Sequence, residues 1–224
     1  MITIDALRIC DGERTPLDGV TMLLTANAVH GIAGEGRSEL LRAVYGLAVP
    51  ESGSVTSGGH PLRRRDMAYL EAEPRFWPGL TAGDCLGLVR RYHPASDPAP
   101  LLRRLPAMLR RLPVPLDAEA AALPEAERKR LALILLLMQR KRVLLLDEPF
   151  CGLDAESVFV VQQLILQLGC EGRTLLVAAD SLALLDGTCD DLYVLGGGGV
   201  RGRYEHYEFA RAVREAAASG IAEK

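Results

Sequence analysis

Val143-Leu144-Leu145-Leu146-Asp147-Glu148-Pro149-Phe150-Cys151-Gly152-Leu153-Asp154 is the stretch on which the reading of this chain turns. Four unbroken apolar residues suit a strand buried on both faces, as in parallel sheets covered by helices. The strand ends at Asp147, and Pro149 and Gly152 then turn the chain. Two acids in succession at a strand's carboxyl end differ from an ordinary acidic surface turn because a long apolar run aims them at one place. This strand is expected to lie next to the one that feeds a glycine loop near the amino terminus.

That loop is Gly31-Ile32-Ala33-Gly34-Glu35-Gly36-Arg37-Ser38, a GxxxxG-basic-[ST] layout between a strand and a helix. Glycines let the backbone curl so that successive N–H groups face phosphate oxygens, and the helix behind adds its positive end. Ser38 is placed to offer its hydroxyl to Mg²⁺, with Asp147 on the same metal. Glu148 then stands where it can orient or deprotonate an attacking water. Arg37 occupies the position where a lysine ordinarily reaches the β- and γ-phosphates. It keeps the charge, but a planar fork does not substitute freely for a point ammonium.

Outward from these two stretches the chain alternates. Strands are predicted near residues 2–7, 20–24, 28–33, 143–146, 174–178 and 192–195. Helices are predicted over 38–47, ended by Pro50, and over 126–139, 155–168, 182–185 and 207–218. The run Gly196–Gly199 reads as a flexible turn, and Ser52-Gly53-Ser54 with Ser57-Gly58-Gly59 as a hairpin-like element. From residue 79 to about 125–130 the composition shifts to Arg, Leu, Ala and Pro without strand signals. Leu101, Leu105, Met108, Leu109 and Leu112 suggest helices broken at Pro106 and Pro113. Arg103, Arg104, Arg110 and Arg111 share a face if that helix is continuous. Such a face is either solvated or turned to anionic lipid heads or a membrane subunit.

A chain of 224 residues, 49% hydrophobic, is long enough to bury a core without disulfides or metals. Its net charge of −3 does not favour a nucleic-acid partner. The five scattered cysteines lack CxxC spacing and suit reduced thiols in a cytosolic setting. Residues 1–7 lack the basic-then-apolar order of a signal peptide, and the run 131–138 is too short to cross a bilayer. Any membrane role is therefore expected through a partner.

With Asp-Glu-Pro followed by Gly-Leu-Asp added to the glycine loop, the chain resembles the ATP-binding cassettes of ABC transporters, from about residue 4 to 200. The resemblance implies an α/β P-loop NTPase fold of RecA type with a mostly parallel sheet. To this it adds an N-terminal antiparallel β portion and an inserted helical lobe at about 79–130, all in one domain over 1–224. It implies ATP and Mg²⁺ as cofactors, held by Gly31, Gly34, Glu35, Gly36, Arg37, Ser38, Glu39 and Asp154, with Ser38 and Asp147 on the metal and Glu148 catalytic. It also implies two partners, a second cassette and a transmembrane permease subunit, and a cytoplasmic place on the inner face of the cell membrane.

Several family positions are altered. Where a glutamine usually touches the metal and the water stands Ala72, flanked by Glu71 and Glu73, either of which could supply an oxygen instead. The LSGGQ signature falls on Leu123-Pro124-Glu125-Ala126-Glu127, where Pro124 removes a donor and two carboxylates would meet a phosphate. The switch histidine falls on Ala179, and no aromatic stands near the amino terminus to stack adenine. His30, His60, His93 and His206 read as bystanders. The function implied is an ATP-binding subunit with slow or partner-dependent hydrolysis. The alternative is an impaired cassette serving as scaffold or regulator. A soluble cassette of DNA repair or ribosome work fits the acidic balance less well.

Overall fold

The computed structural model describes residues 1–12, 14–92 and 99–218, and only the backbone of 99–104 and 216–218. His93 and the side chains of Arg103 and Arg104 lie outside the described residues. In chain order the elements are β1 (Ile2–Asp11), β2 (Arg14–Leu24), β3 (Val29–Gly34), α1 (Arg37–Tyr45), β4 (Ser52–Ser57), β5 (His60–Pro61) and β6 (Met67–Leu70). Then come α2 (Ala82–Tyr92), α3 (Ala99–Arg111), α4 (Glu125–Met138), β7 (Val143–Asp147), α5 (Ala155–Cys170) and β8 (Thr174–Ala178). The chain continues through α6 (Leu182–Leu185), β9 (Asp191–Gly196), β10 (Gly199–Glu205) and α7 (Phe209–Ala218).

Two sheets result: an antiparallel one, ordered β2-β1-β4-β5, and a larger one, ordered β10-β9-β3-β8-β7-β6, parallel except at β10. The apolar strands explain why the larger sheet is covered on both faces. Successive side chains of a strand point to opposite sides. Leu144 and Leu146 of β7 and Leu175 and Val177 of β8 accordingly enter one core, with α4, α5 and α7. Val143 and Leu145, with Leu176 and Ala178, enter a second core, shared with α1 and with Ile2, Ile4, Leu7 and Leu17 of the smaller sheet. The fold is thus the α/β P-loop arrangement with an antiparallel β portion at its amino end.

Four expectations change. The β7 strand is not beside β3; β8 pairs with both and separates them. Helix α1 ends not at Pro50 but at Gly46, whose φ of 81° takes the left-handed turn and whose N–H donates to the Ala43 carbonyl at 2.9 Å. Helix α3 runs through Pro106 without a break, because Leu105, Met108 and Leu109 pack on the core and outweigh one missing N–H donor. The glycine run is no loose turn: Gly196 ends β9, Gly199 begins β10, and Gly197 and Gly198 sit at φ 58° and 82° in a tight hairpin. The β10 edge strand itself escapes the sequence reading, because its glycines and arginines hide any alternation. Among the described residues no helix is long and apolar enough to cross a membrane.

Candidate functional site

The carboxyl ends of β3, β7 and β8 meet at the amino end of α1. The loop between β3 and α1 bends at Gly34 and Gly36, with φ 94° and 89°. A Cβ on Gly34 would lie 2.1 Å from the Leu195 carbonyl oxygen, and one on Gly36 2.8 Å from that of Pro16. Both positions therefore need glycine twice over, for conformation and for space. Gly31 lies further back in β3, buried against Leu192 and Cys189. Glu35 is exposed at the loop tip, and Glu39 is half-buried in the first turn of α1.

The Ser38 hydroxyl donates to Asp147 Oδ1 at 2.9 Å, so the two oxygens expected on one metal are neighbours. Asp147 is fully buried, and its Oδ2 accepts from the Tyr69 hydroxyl at 3.1 Å. Burial and the adjacent Asp147 charge push the Tyr69 phenol upward, so it stays a donor. Hard oxygens side by side suit Mg²⁺, which takes few protein ligands and completes its shell with water and phosphate. No cluster of three or more His, Cys, Asp or Glu side chains forms a self-sufficient metal cage among the described residues.

Glu148 follows with φ 47°, a left-handed conformation unusual for a side-chain residue, anchored by its N–H to the Ala178 carbonyl at 2.9 Å. Arg37 reaches it from α1. Nε donates to Glu148 Oε1 at 2.9 Å, Nη2 lies 2.9 Å from the same oxygen, and Nη1 donates to the Gly34 carbonyl at 3.1 Å. Nη2 also lies 2.7 Å from Asp180 Oδ1. Burial raises the Glu148 pKa above its ordinary value; Arg37 pulls it down, while Asp180 and Asp147 push it up. A carboxylate shifted upward is a better proton acceptor.

Lysine 129 of α4 is fully buried beneath this loop. Its ammonium donates to the Glu148 carbonyl at 3.0 Å and also to the carbonyl of Ala72. Burial lowers its pKa, against the pull of nearby acids. Glu71 and Glu73 are exposed. Asp154 is engaged in capping α5, accepting from the Ser157 N–H at 2.8 Å, and it pairs with Arg130 of α4. Helix α4 begins after Pro124, with Glu125 and Glu127 in its first turn, at the positive end of the helix dipole. Glu125 also packs over the Gly152 backbone.

Tertiary structure thus gathers Gly34, Gly36, Arg37, Ser38, Asp147 and Glu148 at one place. It adds Tyr69, Lys129 and Asp180, which sequence reasoning missed. Asp180 was visible as the acid just after an apolar strand. Lys129 carried no signal, because it sits in a charged run that ordinarily faces water. His30 is wholly buried between the Asp191 carboxylate, at 2.6 Å, and the Thr25 carbonyl, at 3.0 Å. Arg203 closes on the other oxygen of Asp191 at 2.8 Å.

Fold and loop geometry define a P-loop NTPase. Comparison with known proteins narrows this class. The ABC transporter family model matches residues 17–151. The chain is 28% identical over 211 residues to the Nod factor export ATP-binding protein I of Ralstonia nicotianae, covering 88% of this chain and 65% of that one. It is 27% identical over 203 residues to a ribose import ATP-binding protein of Pseudomonas putida, covering 84% of this chain and 40% of that one. The chain therefore spans less than two thirds of the length of these relatives. A solved ATP-binding subunit of an ABC transporter superposes with a TM-score of 0.85 at 22% identity, over 96% of this chain and 93% of that one. This chain belongs to the ABC transporter family, as a nucleotide-binding cassette.

Proposed function

We propose that this chain is the ATP-binding subunit of an ABC transporter complex, binding Mg-ATP and hydrolysing it slowly or only with a partner. The observation that carries this reading is the 2.9 Å contact of Ser38 with Asp147 beside the glycine loop, with Glu148 next in sequence. In this reading the loop N–H groups between Gly34 and Ser38 hold the phosphates, with Gly31, Glu35 and Glu39 around them. Ser38 and Asp147 supply metal oxygens, and Tyr69 fixes the Asp147 carboxylate. Bound Mg²⁺ would neutralise phosphate charge as it develops. Glu148, raised by burial, orients a water and accepts its proton. Asp154, while capping α5, belongs to the nucleotide-binding set that the resemblance implies.

The same reading makes residues 1–224 one domain, with about 79–130 as an inserted helical lobe facing a membrane subunit. Contact with the membrane is then indirect, on its cytoplasmic face, and no nucleic acid is involved. A second reading, a scaffold or regulatory cassette with impaired catalysis, draws on Pro124, Glu125 and Glu127 at the start of α4. These carboxylates already answer the positive end of the helix that the family turns to a partner's phosphate.

The test is binding and turnover of Mg-ATP by the purified chain, with Arg37→Lys and Glu148→Gln alongside. The expected result is binding with slow turnover that Arg37→Lys raises and Glu148→Gln abolishes. No binding by any form would overturn the ATPase reading in favour of the scaffold.

A further inference from the structure

We propose that Asp180 is a positioning residue that holds Arg37 against Glu148, so that a nucleotide's terminal phosphate must take the guanidinium from two carboxylates before Glu148 is free to orient water. This rests on the ATP-binding reading above. It goes beyond that reading by giving a role to a residue that the phosphate-loop and strand-end motifs do not contain.

The geometry is specific to a guanidinium. Arg37 presents three nitrogens in one plane, and each has an acceptor: Nε has Glu148, Nη1 has the Gly34 carbonyl, and Nη2 has Glu148 and Asp180. A lysine ammonium is a single point on a flexible stem and does not span these partners in the same fixed fork. Arg37 and Glu148 are mostly shielded, at 18% and 17% side-chain exposure, whereas Asp180 is 69% exposed. The two contacts therefore differ in kind. Glu148 makes the sheltered, two-nitrogen contact, and Asp180 closes the fork from the solvent side.

Asp180 directly follows Ala179, the position that the family resemblance gives to a switch histidine. The end of β8 therefore still reports to the phosphate loop, but through a carboxylate acting on Arg37. While Arg37 lies on Glu148, a Glu148 oxygen is occupied by two N–H groups. A phosphate that draws the guanidinium away releases that oxygen. Occupied loop and available base become mutually dependent steps. An exposed ion pair is worth at most about 1 kcal/mol, so removing the Asp180 charge is expected to tighten nucleotide binding by about threefold to fivefold.

The experiment has two readouts on the full chain. The first is the ¹⁵N–¹H signal of Arg37 Nε without nucleotide, identified by its loss in Arg37→Met. The second is calorimetric titration with Mg²⁺ and the β,γ-imido analogue of ATP. Wild type is expected to show an Nε–H protected from exchange that moves as the analogue binds. Asp180→Asn weakens that protection and tightens the analogue, and Asp180→Glu returns both towards wild type. In an Arg37→Met background, Asp180→Asn changes affinity less than about twofold, because its effect passes through Arg37. Equal tightening in that background means Asp180 simply repels phosphate, and it overturns the inference. So does an Nε–H that exchanges freely in the wild type. Both results leave the ATPase reading standing. Absence of analogue binding by every form overturns the ATPase reading instead, and the loss of Arg37 Nε–H protection on Asp180→Asn, or its persistence, then supports or overturns the role of Asp180 in holding Arg37 on Glu148.

Discussion

At the scale of single residues, the buried Lys129 is the side chain whose environment differs most from its sequence surroundings. Its stem fills core space and its ammonium joins the carbonyls of Ala72 and Glu148. Lys129→Ala removes both and is expected to cost about 3 kcal/mol in urea unfolding, from a cavity and two half-buried acceptors that lose this donor. Lys129→Met keeps the packing and also ends the expense of a buried charge, so about 1 kcal/mol is expected. A larger loss for Met than for Ala would contradict this division. Lys129→Met is also expected to lower turnover more than nucleotide affinity, because it frees the backbone that holds Glu148 at φ 47°.

At the scale of elements, two glycines make opposite predictions. Gly34 joins β3 to the phosphate loop at φ 94°, and an added methyl would meet the Leu195 carbonyl of β9 at 2.1 Å. Gly34→Ala is expected to destabilise the protein by more than about 2 kcal/mol and to abolish nucleotide binding. Gly87 lies inside α2 with nothing within 4 Å of an added Cβ. Gly87→Ala is expected to stabilise by about 0.5–1 kcal/mol, since alanine loses less chain entropy in a helix. Chemical denaturation of the pair checks both, and equal effects would show that neither the φ nor the clash matters. The strand-to-helix character of residues 29–45 was legible from periodicity and glycine spacing alone. The path of α3 through Pro106 was not, because it depends on the core, built by distant parts of the chain, against which its own Leu105, Met108 and Leu109 pack.

At the scale of the molecule, the start of α4 is expected to govern association. Glu125 and Glu127 place negative charge on the surface that, by family resemblance, meets a partner's phosphate. The isolated chain with Mg-ATP is expected to sediment as a monomer. Replacing Pro124→Ser, Glu125→Gly, Ala126→Gly and Glu127→Gln together is expected to give an ATP-dependent dimer in the Glu148→Gln background. Dimerisation of the unaltered chain to the same extent would remove α4 as the determinant. Mg-ATP at a hundred times its Kd is expected to stabilise the chain by about 2.7 kcal/mol, read as a rise in melting temperature that Gly34→Ala loses.

Local pattern alone determined most of the strands and helices, the glycine loop, and the Asp147-Glu148 pair at the end of a buried strand. Each is written within a dozen residues of sequence, as an apolar period or as glycines where the backbone must bend. Tertiary structure decided the rest. It placed β8 between β3 and β7, drew a glycine-rich turn into the β9–β10 hairpin, buried Lys129, and set Arg37 between Glu148 and Asp180. These outcomes depend on what packs against a residue from distant parts of the chain. A charged side chain looks the same in sequence whether water or two backbone carbonyls receive it.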